Sequence, residues 1–203
     1  MKLVFASNNA HKLREVRGIL PSDIEVIGLQ DIGFVEDIAE TGATLEENSA
    51  IKARAVWQWL QGHPSAQTEG VSGVFADDTG LEIAALHGAP GVHTARWAGE
   101  PANDANNRRK TLHELEGVTQ REARFRTVVT LIRDGEMQQV EGIVNGEIAS
   151  VESGNGGFGY DPLFIPEGHT QTFACLTEEQ KNSISHRGRA MQALCELLGN
   201  GKK

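Results

Sequence analysis

Two adjacent carboxylates, Asp77 and Asp78, follow the apolar run Val74-Phe75-Ala76 and precede Thr79-Gly80 in the stretch GVFADDTGLEI. Consecutive side chains of a strand point to opposite faces, so one acid is expected to face a site while the other hydrogen-bonds to backbone. A carboxylate at a strand end is costly to bury unpaired. A magnesium ion would stabilise it, because Mg2+ takes one or two carboxylates and completes its shell with water and phosphate oxygens. A turn-forming Asp before Thr-Gly, or two solvated charges, accounts for the same residues without a metal.

Three further constellations are polar enough for chemistry, the third being the pair GNGGFGYD and KNSISHR. SNNAHK (7–12) follows an apolar run and precedes a helical pattern, so it places capping residues at a helix N-terminus, where the macrodipole favours anions. Lys12 stands in that first turn and would be offset by a bound phosphate, although the Walker pattern is absent. Redundant caps and a solvated lysine account for it equally. Glu47, grouped with Lys52, stands three residues after Thr44, and a capping box is sufficient reason for it. GNGGFGYD (154–161) holds Phe158 on small residues, a platform on which a flat ring could stack. KNSISHR (181–187) gathers Lys181, His186 and Arg187, three donors in an acidic chain. The plain alternatives are a hairpin turn with Phe158 in the core, and charges decorating the last helix.

The elements that must position these groups follow from apolar spacing. KLVFA (2–6) reads as a buried strand, HKLREVRGIL as a helix, and 24–29 as a second strand. A helix begins after Thr44 with Ala50, Ala53, Trp57 and Leu60 on its inner face, and 61–72 reads as a loop. Strands are expected at 73–77 and 80–85, irregular chain at 88–99, and a helix over 104–115. Two long strands, 123–133 and 136–149, join at Asp134-Gly135, a strong hairpin signal. A short strand at PLFI, a short helix capped by Thr177 and Gln180, and a last helix ending at Gly199 complete the chain. The alternation predicts an α/β fold with a mixed sheet.

The 203 residues suit one domain, 1–203, with 200–203 expected to fray. The net charge of −9 disfavours nucleic acid as a partner. Cys175 and Cys195 suggest neither a disulfide framework nor a zinc site. No apolar run approaches a membrane span or a signal-peptide core, so no membrane partner and a cytoplasmic location are expected.

Taken in order, ASNNAHKLREV, ETGATLEENSAIKARA, ADDTGLEIAALHGAPGVHTARWAG, GGFGYDPLFIP and NSISHRGRAM resemble the inosine/xanthosine triphosphate pyrophosphatase family over essentially the whole chain. The resemblance implies a two-lobed α/β fold with a long central mixed sheet flanked by helices, a homodimer, and Mg2+-dependent hydrolysis of ITP, dITP and XTP to the monophosphate and pyrophosphate. It implies a phosphate-binding element at Ser7, Asn8, Asn9, Ala10, His11 and Lys12, with Lys12 also catalytic. It implies metal ligation by Glu47 and Asp78, with Asp78 the general base, Asp77 its structural partner, and Thr79 a substrate contact. A nucleobase pocket of Phe158, Gly159, Tyr160, Asp161, Lys181, His186 and Arg187 follows from it. Cys175 replaces an acid found in many relatives, and Trp97 a Tyr or Phe; neither falls on these motifs. A broader nucleotide pyrophosphatase and a non-catalytic nucleotide-binding regulator are the alternatives.

Overall fold

The computed structural model describes residues 1–65 and 68–200. Residues 201–203 of the tail expected to fray, and two residues of the 61–72 loop, lie outside the described residues. The strands are β1 (Lys2–Phe5), β2 (Glu25–Gly28), β3 (Val71–Ile83), β4 (Pro90–Gly91), β5 (Glu122–Arg133), β6 (Glu136–Ile148) and β7 (Phe164–Pro166). The helices are α1 (Ala10–Ile19), α2 (Leu45–Gly62), α3 (Asp104–Glu114), α4 (Glu178–Ile184) and α5 (His186–Asn200). They form an α/β fold on one mixed sheet of order β2-β1-β3-β5-β6-β7, with β4 antiparallel on β3. The β1 strand pairs in parallel with both β2 and β3.

The chain divides into two compact units, Met1–Asp78 with Thr127–Gly142 and Arg187–Lys203, and Thr79–Arg126 with Ile143–His186. In the first unit the sheet is apolar on both faces, as parallel strands covered by helices require. Leu3, Phe5, Phe75, Val129 and Leu131 meet Val16 of α1 and Met191 and Leu194 of α5. Val4, Ala6, Val74, Ala76 and Ile132 meet Ala53 and Val56 of α2 on the other face. The second unit has its own core of Leu81, Ile83, Phe125, Val144, Phe164 and Phe173, with Leu115 after α3.

One expectation is overturned at the two acids. Instead of strands at 73–77 and 80–85 with a turn between them, β3 runs unbroken through Asp77, Asp78 and Thr79. Both carboxylates are buried and paired with cations, so the chain does not leave the sheet to solvate them. The 88–99 stretch holds β4 and a single 3-10 turn, and the PLFI strand is shifted to Phe164–Pro166. The Asp134-Gly135 hairpin has φ of 54° and 81°, the left-handed pair its tight turn demands.

Candidate functional site

Alternation along β3 gives the two acids separate surroundings. Asp77 continues the row of Phe75, on the side covered by α1 and α5. It is fully buried, and among the described residues its side chain meets cations and not the backbone expected. Lys12 Nζ donates to its Oδ1 at 2.9 Å, while Arg187 Nε and Nη2 donate to its Oδ2 at 3.0 and 2.9 Å. Arg187 Nη1 donates in turn to Glu15. Burial alone would raise the Asp77 carboxyl; Lys12, Arg187 and Lys52 outweigh it and hold the group well below the usual carboxylate range. Burial also lowers the Lys12 ammonium, with Asp77 opposing and Lys52 and Arg187 assisting.

Asp78 continues the row of Val74 and Ala76, on the side covered by α2. Lys52 Nζ donates to Asp78 Oδ1 at 2.9 Å and to Glu40 Oε1 at 2.7 Å. Burial pushes the Asp78 carboxyl above its ordinary value, more than Lys52 and Lys12 pull it down. Lys52 stays charged, because Asp78, Asp77 and Glu40 overcome its own burial. Two neighbouring carboxylates are thus driven in opposite directions, Asp77 below its ordinary proton affinity and Asp78 above it.

The α1 N-terminus is self-capped to a greater degree than its composition suggests. Asn9 Oδ1 accepts from the N–H groups of His11 and Lys12, at 2.9 and 3.1 Å, and Ser7 Oγ accepts from Asn9 N–H. Asn8, Asn9, Ala10 and His11 are exposed, while Ser7 and Lys12 are half-buried. Glu47 is exposed and caps α2 one residue earlier than the capping box, accepting from Ala43 N–H at 2.6 Å. Gly42 packs so tightly below it that a Cβ would lie 2.6 Å from Glu47 Cβ.

Glu47 and Asp78 are the residues that the resemblance gives to Mg2+. Asp78 Oδ2 and Glu47 Oε1 accept no hydrogen bond among the described residues. Such hard oxygens suit Mg2+, which needs only one or two carboxylates. Among the described residues no group of three or more His, Cys, Asp or Glu forms an all-protein metal cage. A cation held by these two carboxylates would have to complete its shell with water and phosphate.

The second unit gathers the residues expected around a base except Arg187, which belongs to the first unit and is buried against Asp77 and Glu15. Lys181, buried, donates to Asp161 Oδ2 at 2.6 Å, and its Nζ lies 5.0 Å from the centre of the half-buried Phe158 ring. Asp161 Oδ2 also accepts from Phe158 N–H at 2.8 Å, closing the glycine loop on itself. Gly157 is required there, because a Cβ would stand 1.9 Å from that same oxygen. Tyr160 is buried, with its hydroxyl donating to Thr94 O at 2.9 Å, so it anchors the loop through its ring and hydroxyl. His186 stacks on Phe125 with ring centres 4.5 Å apart. Thr79 opens this unit, half-buried in β3.

Glu15 and Glu40 carry ion pairs but were not singled out from the sequence, and Lys52 was grouped with Glu47 without a role of its own. The signal for Lys52 was present: it breaks the buried row Leu45, Ser49, Ala53, Val56 of α2 with a charge. Glu40 lies in an irregular acidic loop, where spacing says nothing about direction.

A model of the Ham1 family matches residues 3–197. The dITP/XTP pyrophosphatase of Porphyromonas gingivalis is 52% identical over 198 residues, covering 97% of each chain. The protein of that name from Clostridium perfringens is 44% identical, again covering 97% of each. Among solved structures, the Ham1 protein of Staphylococcus aureus superposes with a TM-score of 0.85 at 39% identity over the whole of both chains.

Proposed function

The chain belongs to the Ham1 family, and from that premise we propose that it hydrolyses dITP, ITP and XTP to the nucleoside monophosphate and pyrophosphate. The observation that carries this reading is the full-length likeness to dITP/XTP pyrophosphatases, with Asp77 and Asp78 of β3 held in separate ion pairs. Phosphoanhydride hydrolysis needs positioning and charge neutralisation more than covalent chemistry. Lys12 and the Ser7–Lys12 turn hold the triphosphate, with Asp77 and Arg187 fixing the lysine. Asp78 takes the proton of the attacking water. Lys52 holds the Asp78 carboxylate in place through Oδ1 and leaves Oδ2 for chemistry. Pyrophosphate then leaves from the α-phosphorus.

Glu47 and Asp78 would hold Mg2+, which supplies charge neutralisation at the phosphates when bound. Phe158 stacks on the purine, and Gly159, Tyr160, Asp161 and Lys181 shape its surroundings. His186 addresses the 6-keto edge that hypoxanthine and xanthine share, while Arg187 serves the Asp77 cluster instead. Adenine presents an amino group there and leaves donors unpaired, a penalty that reaches about 10⁴-fold. Thr79 contacts the substrate beside Asp78. The reading includes a homodimer acting on the cytoplasmic nucleotide pool.

A panel of dITP, ITP, XTP, GTP and ATP, with and without Mg2+, tests it. Pyrophosphate release from the first three, abolished by a chelator, is expected. Orthophosphate as the product, or equal kcat/KM for GTP and ITP, overturns the reading. Asp78→Asn is expected to lower kcat by at least about 100-fold; turnover near wild type removes Asp78 as the base.

A further inference from the structure

The loop that carries Phe158 is gripped from outside by helix α3. Asp104 and Arg108 lie four residues apart and so share one face of α3. Asp104 Oδ2 accepts from Gly159 N–H at 2.9 Å, and Arg108 Nη1 donates to Gly159 O at 2.9 Å. Both polar backbone groups of one residue are therefore held by one pair of side chains. Arg108 Nε also lies 3.0 Å from Glu152 Oε2, an ion-pair distance without hydrogen-bond geometry. Gly159 has φ of 61°, a left-handed conformation that suits glycine and that the two contacts hold in place. On the other flank Asp161 Oδ2 takes Phe158 N–H. The Phe158 backbone is thus fixed on both sides, while its ring remains half-exposed.

We infer that Asp104 and Arg108 are positioning residues for the nucleobase: they act through Gly159 to set the Phe158 ring ready for stacking before substrate arrives. The inference rests on the function proposed above and deepens it. A tie that served the fold alone would change stability and leave substrate affinity untouched. A tie that pre-places the stacking ring changes KM, because stacking stabilises ground state and transition state alike, and spares kcat.

The test uses the full chain with Asp104→Ala, Asp104→Asn and Arg108→Ala. Kinetics on dITP are read together with hydrogen exchange of the Gly159 amide by NMR on the free protein. Asp104→Ala and Arg108→Ala are each expected to raise KM about fivefold, with kcat within about twofold of wild type. Asp104→Ala accelerates exchange at Gly159 about tenfold. Asp104→Asn keeps an oxygen that accepts from Gly159 N–H and restores both values to within about twofold of wild type. Wild-type KM and Gly159 exchange in Asp104→Ala, or an Asn variant as defective as the Ala variant, overturns the inference. Failure of the function reading looks different: the wild-type chain itself then releases no pyrophosphate from dITP or XTP.

Discussion

At the scale of single residues, Asp77 and Asp78 show how identical groups acquire different roles. Asp77 balances the half-buried Lys12 and the buried Arg187, and removing its charge takes a carboxylate from each. Asp77→Asn is expected to destabilise the chain by about 3–5 kcal/mol, read from urea unfolding, because a broken buried ion cluster leaves charge uncompensated. The division between the two acids was legible, since a strand's alternation demands it, but their partners were not. Glu15, Arg187 and Lys12 converge on Asp77 from distant parts of the chain, and no local spacing encodes that meeting. The two thiols differ as well. Cys175 is exposed, and hydrogen bonds from Ser153 and Thr172 lower its thiol below the ordinary value, whereas burial raises that of the half-buried Cys195. Iodoacetamide followed by peptide mass spectrometry is expected to label Cys175 first. Ser153→Ala should move the midpoint of its pH–rate curve upward.

At the scale of elements, caps and turns were the most readable features. Thr177 and Gln180 form the reciprocal capping box of α4, and Asp134-Gly135 makes its hairpin. The break expected at DDTG was the element misread, because charged residues mark turns unless tertiary cations pay for their burial. Parity makes β3 intolerant: an odd insertion within it would exchange the surroundings of Asp77 and Asp78. The glycine loop is equally constrained. Gly157→Ala drives a methyl into Asp161 from a backbone of φ 69°, and is expected to cost about 1–3 kcal/mol in thermal unfolding. The same change should raise KM for dITP, since Asp161 holds both Phe158 N–H and Lys181.

At the scale of the whole molecule, the compact units are assembled from separated stretches of chain. The first draws on three: Met1–Asp78, Thr127–Gly142 and Arg187–Lys203. Periodicity reveals most helices and strands but not which distant stretches share a core, so this division could not be read residue by residue. A fragment of residues 1–126 keeps β1 and α1 but lacks Val129, Leu131, Met191 and Leu194, which cover Phe5 and Phe75. It is expected to give poorly dispersed amide NMR spectra and no cooperative melting transition. The lateness of Arg187 carries a consequence for synthesis on the ribosome. Asp77 is translated early and its second counter-charge arrives only with the closing helix. A premature stop codon anywhere upstream of that helix therefore yields a polypeptide with a half-neutralised acid in an open core, to be cleared by proteases and not released as a weakened enzyme.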